Sequence, residues 1–296
     1  MLALPLLILA ATLAAEEDHL QANPVYRQLR ESGLALADGV REPLREPTMA
    51  DGLAAGAQHA ALEEIAKGAY PLKQLLRKSV VARHILQMQQ LDEGKARARR
   101  ADTWFVAYGD LDAISDKEFL ERLLSTEADE DETDDQGHTL STSELAARNI
   151  TLTTGSEEHE GFAHGTYALV KRVHVQGTIH WCWSRSDDSI LVAGVLDSRF
   201  SDDAAFPNRW LAIERSTTGA ASLGPPQPYG GMGFYVKITR MAEPPGALFV
   251  ENHLIFSEPH EWFDGANYLG SKLPAIVQRQ VRSIRRELVI AARGQK

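Results

Sequence analysis

Four side chains stand close enough in pattern to do chemistry. His174 and His180 read as lying on adjacent strands, and Glu251 and His253 share one face of the strand before the last helix. Three imidazoles and a carboxylate are ligand types that hold zinc, so a metal site is chemically available. An enzyme built on the four requires them to converge within hydrogen-bond reach. Phe249 and Ile255 fall on the same face as Glu251 and His253. A polar pair among apolar neighbours can orient a ligand inside a cavity. The plainer account leaves some of these residues on the wet face of an antiparallel sheet.

Other motifs fail on their own geometry. Gly265-Ala-Asn-Tyr-Leu-Gly-Ser-Lys272 nearly spells a phosphate loop, but Ser precedes Lys and Pro274 follows closely. The loop needs Lys first, to reach the phosphates, and then a hydroxyl for magnesium. Ser271 as a helix N-cap accounts for the pattern better. His159, Glu160 and His164 have a spacing of five where a zinc-protease helix needs four. Gly161 and Gly165 argue against helix there, so a loop is expected. No Gly-x-Ser-x-Gly elbow occurs. Gly230-Gly-Met-Gly233 leads into a strand, whereas a dinucleotide loop opens a helix. Asn149-Ile-Thr151 fits a glycosylation triplet that chance also supplies. Glu127 to Asp135 holds seven acids in nine residues. With Gly137 in the sixth place of a calcium loop, Gln136 falls fifth and Ser143 twelfth, so the register fails and a solvated loop is expected. No catalytic residue, metal ligand or cofactor is assigned on these grounds.

Composition narrows the partners. Lys and Arg total 31 against 41 Asp and Glu, a net charge of −10. That balance excludes nucleic acid, which needs a basic footprint. The short run Lys95 to Arg100 reads as a solvated connector. Residues Leu2 to Ala15 are almost wholly apolar and end at Glu16. The run falls short of the roughly 20 residues that span a bilayer, and suits a signal peptide cut after Ala14 or Ala15. No transmembrane span is therefore expected, and the chain is read as exported, periplasmic or secreted. The lone cysteine, Cys182, allows no internal disulfide and reads as a buried, inert thiol.

Three segments follow: a signal peptide over 1–15, a helical N-terminal segment over 16–100, and an α+β domain over 101–296. In the second, Pro24 to Ser32, Ala50 to Lys67 and Pro71 to Gln90 are predicted helices around a linker punctuated by Gly39, Pro43 and Pro47. In the third, Thr103 to Gly109 alternates as a strand. Capping boxes at Ser115–Glu118 and Ser141–Glu144 open two helices. Strands are then predicted over Ile150–Thr154, Gly165–Val175, Thr178–Ser184 and Ser189–Leu196, with a turn at Gln176-Gly177. Ser198 to Tyr229 is irregular, with Phe206, Trp210 and Ile213 packed beneath it. The chain closes with strands Gly233–Met241 and Gly246–Ser257 and a helix over Ser271–Ala292. On that helix Leu273, Ile276, Val277, Val281, Ile284, Leu288 and Ala291 share one face, opposite Arg279, Arg282, Arg285 and Arg286.

This order (strand, two helices, six strands, long helix) resembles the START-like helix-grip superfamily over residues 101–292. The matching unit is Gly233-Phe-Tyr-Val-Lys-Ile-Thr-Arg-Met241, Ala247-Leu-Phe-Val-Glu-Asn-His-Leu-Ile-Phe256 and Ser271-Lys-Leu-Pro-Ala-Ile-Val277. The resemblance implies a curved antiparallel sheet packed on the long C-terminal helix, around an elongated cavity. It implies a lipid or other hydrophobic small-molecule ligand, and a binder in preference to an enzyme. Trp181, Trp183, Phe249, Glu251, His253 and Ile255 are the expected ligand contacts. A structural module of the cell envelope with a filled core is the other reading, and the oligomeric state is left open.

Overall fold

The computed structural model describes residues 19–36, 40–93, 96–114, 138–170, 173–212, 227–228, 230–258 and 268–294. The signal-peptide run, the Ser115 capping box, the acidic stretch 127–135, Ile213 and most of the phosphate-loop-like segment lie outside them.

The N-terminal part holds the short helix α1 (Pro24–Arg27), whose Asn23 side chain caps the amide of Tyr26. A two-stranded ribbon follows, β1 (Leu34–Ala35) and β2 (Arg41–Glu42), then α2 (Ala55–Ala66) and α3 (Leu72–Leu75). The helix predicted over Pro71–Gln90 ends there. From His84 the chain is strand β3 (His84–Glu93), which hairpins onto β4 (Ala96–Tyr108). Leu72, Leu75 and Leu76 do follow helical spacing, but Ile85 faces Trp104 across the ladder, so β-pairing overrides the helical pattern. Residues 96–100 of the basic run are part of β4 too, while Lys95 lies outside the described residues. Arg99 pairs with Glu258 and Arg100 with Glu42. The line drawn at residue 101 therefore passes through the middle of β4.

The rest of the sheet comprises β5 (His138–Thr139), β6 (Glu160–Val170), β7 (Val173–Arg185), β8 (Ser189–Leu196), β9 (Arg209–Ala212), β10 (Gln227–Pro228), β11 (Met232–Arg240) and β12 (Ala247–Ser257). Between β5 and β6 the capping box at Ser141 and Glu144 opens α4 (Thr142–Ala146), with both reciprocal bonds made. The strand order is β10-β9-β7-β8-β11-β12-β4-β3, every pairing antiparallel, with β6 on the other edge of β7 and β5 on β6. The turn predicted at Gln176-Gly177 is absent. The strand runs through and changes partner there: Val173–Gln176 pair with β9, and Ile179–Arg185 with β8. Asn208 Oδ1 accepts the Thr178 amide at the switch. The loop expected around His159–His164 is likewise strand, because Glu160–Val170 pairs along β7.

The C-terminal helix α5 (Tyr268–Gly294) lies across one face of this sheet. Ser271 sits inside it, so the N-cap expected there is not made by that residue. Leu273, Val277, Val281, Ile284 and Leu288 pack on Phe105, Ile179, Trp183, Val192, Val236 and Val250. The other face is covered as well. Val25, Tyr26, Leu29, Leu34 and Leu44 cover Cys182, Leu191, Ala193, Tyr235 and Ile255. Met49, Leu62, Ile65 and Leu75 cover Trp104, Val106 and Phe249. The described residues between Val25 and Leu76 thus form a belt over the face opposite α5. This explains β8, in which all eight residues are buried: an unbroken apolar strand is one covered on both sides. The architecture is α+β, an antiparallel sheet gripping a C-terminal helix. No helix among the described residues is long and apolar enough to cross a membrane.

Candidate functional site

The pleat sorts the expected ligand contacts onto opposite faces. Directly paired residues of an antiparallel ladder project to one side. Val250 and Val236 touch α5, so Trp181 and Trp183 lie on the helix face. Phe249, Glu251, His253 and Ile255 have the other parity and lie under the belt. They do not share a cavity with the tryptophans, and none of the four faces solvent. Glu251, His253, Phe249 and Ile255 are fully buried.

Under the belt several buried polar groups bond to one another. His253 stands opposite Asp102, and its Nδ1 is 2.8 Å from Asp102 Oδ1. Its Nε2 is 3.3 Å from Glu251 Oε2. Glu251 accepts the backbone amides of Thr48 at 2.7 Å and Met49 at 3.4 Å. Trp104 Nε1 donates to Thr48 Oγ1, and Tyr235 OH to the Arg45 carbonyl. Lys237 Nζ donates to the Met49 carbonyl at 2.8 Å and sits 3.0 Å from Asp51. Burial pushes the His253 imidazole down, but its bonds to Asp102 and Glu251 outweigh that and raise its pKa. Burial pushes Asp51 up, and Lys237 with the hydroxyls of Ser186 and Ser189 holds it below the usual range. A closed set of ions and hydrogen bonds of this kind fixes a chain segment in place.

The other two histidines are elsewhere. His174 and His180 are on the same strand, six residues apart, against the expectation of adjacent strands. His180 shares the face of His253 but lies three strands away, roughly 14 Å across the sheet. Its Nε2 is 2.7 Å from Glu160, and its ring stacks on Phe162. Burial pushes Glu160 up, yet the bonds from His180 and the amides of Thr153 and Thr154 bring its carboxyl down to about 2. The four groups do not converge. Among the described residues no set of three or more His, Cys, Asp or Glu side chains is arranged to hold a metal. Cys182 is buried opposite Glu160, and burial with that neighbouring charge pushes its thiol up to about 12, which makes it inert. Asp102 and Lys237 were missed in the sequence. Each has the parity of a large aromatic two residues away, Trp104 and Tyr235, which is the signal that could have found them.

The helix face carries a different feature. One row of paired residues runs Gly161, Trp181, Gly194, Phe234, Leu254 and Ala101 across six strands. At about 4.8 Å per strand it extends roughly 24 Å. Trp181, Phe234 and Leu254 pack against the core yet remain half-buried, as does Ile276 of α5 above them. The glycines let the rings lie flat. A Cβ on Gly161 would come within 2.7 Å of the Trp181 ring, and one on Gly194 within 2.6 Å of the Phe234 ring. Glycine inside a strand marks such close approaches. The result is a smooth apolar floor beside the N-terminal half of α5. Trp183, by contrast, is buried and donates its Nε1 to the Glu158 carbonyl.

A long helix held against a broad antiparallel sheet is a helix-grip α+β architecture. Solved structures with a similar arrangement include the human StarD13 (DLC2) lipid transfer and protein localization domain, at 9% identity over 77% of this chain and 95% of that one, with a TM-score of 0.35. Human STARD10 is similar at 6% identity over 72% and 76%, with a TM-score of 0.33. The Mll3558 protein of Rhizobium loti is similar at 13% identity over 70% and 99%, with a TM-score of 0.30. No protein-family model matches the chain, and no curated protein matches it.

Proposed function

We propose that this protein is a non-catalytic binder of a lipid or other hydrophobic small molecule, held on the helix face between the sheet and the N-terminal half of α5. One observation carries the reading: Trp181, Phe234, Leu254 and Ile276 are apolar side chains at the margin of the core that stay only partly buried. Large apolar patches left open to water on a soluble domain mark binding surfaces. Separation of His180 from the Glu251–His253 pair supports a binder over an enzyme. The test is direct. Delipidated protein titrated with a fluorescent fatty acid should bind it, and native mass spectrometry of freshly purified protein should find an apolar adduct. Phe234→Asp, at a half-exposed position, should weaken fatty-acid binding at least about tenfold while far-UV circular dichroism stays unchanged. Equal binding by the variant and the wild type would reject the site.

We also propose that the chain is exported, on the strength of the apolar run Leu2–Ala15. Amino-terminal sequencing of protein from its native source should then begin at Ala15 or Glu16. A start at Met1 would contradict export by this route.

A further inference from the structure

β3 is an edge strand. It pairs with β4 on one side and, among the described residues, with no strand on the other. Its middle is open to water: Gln89 and Gln90 are exposed, and Met88 is 39% exposed, one of few large apolar side chains so placed. Natural edges are blunted by Lys, Pro, charges or bulges, because an unprotected edge templates further pairing. In β3 no Lys or Pro occurs and the only charges are its last two residues, Asp92 and Glu93, while its ladder with β4 runs without a register shift.

The strand is also complementary to itself. A two-fold axis normal to the sheet brings two copies together antiparallel, with like faces on the same side. With the axis at Met88, Met88 meets its own copy, Gln87 meets Gln89, and Ile85 meets Leu91. Further out His84 stands opposite Asp92, and Arg83 opposite Glu93. Gln87 with Gln89 sets amide against amide, Ile85 with Leu91 apolar against apolar, and Arg83 with Glu93 cation against anion, the pairs that stabilise adjacent strands. Shifting the axis to Gln87 sets Arg83 against Leu91 and Ile85 against Gln89. Shifting it to Gln89 sets Ile85 against Glu93 and Leu86 against Asp92. Leu86 against Gln90 is the one unlike pair of the Met88 register, fewer than either shifted register leaves. Arg285 of α5 donates to the carbonyls of Val80, Ala82 and Arg83, so the chain entering this edge is already held in place.

We propose that β3 pairs with β3 of a second copy of this chain, antiparallel and centred on Met88, joining two sheets into one. The full-length protein should sediment as a dimer at micromolar concentration. Met88→Cys should form a covalent dimer on mild oxidation, since cross-strand Cα atoms about 4.5–5.5 Å apart lie within disulfide reach. The native Cys182 is buried and gives no background. Gln89→Cys, opposite Gln87 in this register, should not crosslink. Met88→Lys sets two ammonium groups together at the axis and should weaken dimerisation at least about tenfold. Arg83→Glu should weaken it and Arg83→Glu with Glu93→Arg should restore it, a rescue that misfolding cannot mimic. A monomer at all concentrations overturns the proposal. So does a dimer that Met88→Cys fails to crosslink and the charge swap fails to rescue.

Discussion

Replacing His253 by alanine is expected to destabilise the protein by about 3–5 kcal/mol, read from urea unfolding. The imidazole is fully buried between Asp102 of β4 and Glu251 of β12. Its removal leaves two buried carboxylates facing one another with only Arg45 and the Thr48 and Met49 amides beside them, and a poorly compensated buried charge is among the costliest single defects. The damage should spread to the belt. Glu251 accepts the Thr48 and Met49 amides, so hydrogen exchange at those two positions should accelerate before exchange in α5 does. The pH dependence has a definite sign. The His253 pKa is raised on folding. The stabilisation it gives is therefore complete below the unfolded value, about 6.5, and is lost as pH rises through the folded value. Wild-type stability should decline on the alkaline side, and His253→Gln should flatten that decline. An alkaline decline unchanged in the variant would assign the titration to another group.

What the sequence disclosed and what it concealed divide along physical lines. The terminal strand–strand–helix unit was legible because each element buries a regular stripe: β11, β12 and the Leu273–Leu288 face of α5 match their periods. Parity placed Glu251, His253, Phe249 and Ile255 on one face, and correctly. Which face touches the helix is a non-local fact, decided by pairing with β4 about 150 residues away. β8 held the missing clue, since eight consecutive buried residues require a cover on both sides. Once both faces are covered, a wet face is excluded and the belt must lie opposite α5. The segment 71–90 misled because a few leucines at helical spacing precede a strand whose apolar residues are sparse. The apolar floor was half visible. Trp181 was named, but Phe234 and Leu254 join it only through the register, and the intervening glycines gain meaning only when the rings are seen to lie on them.

Arg285 was expected on the face of α5 opposite its apolar stripe and is 3% exposed. Its guanidinium donates to the carbonyls of Val106, Ala82, Arg83 and Val80 and lies over the Phe105 ring. Burial lowers its pKa to about 10, which leaves it charged at neutral pH. No carboxylate is among these contacts, so carbonyl dipoles carry the solvation that water would supply. Arg285→Ala should cost about 3 kcal/mol, because several buried acceptors lose their donor at once. Arg285→Lys should recover little, since one ammonium cannot reproduce the planar fork that reaches carbonyls on two separate segments. The consequence for binding follows from position. These bonds tie the C-terminal half of α5 to β4 and to the entrance of β3, while the apolar floor lies beside its N-terminal half. Loosening the tie should raise the dissociation rate of a fluorescent fatty acid several-fold without altering any floor residue, measured by stopped-flow transfer to vesicles. If Arg285→Ala unfolds at lower urea but releases the probe at the wild-type rate, α5 does not gate the floor, and the ligand must leave past the sheet edge.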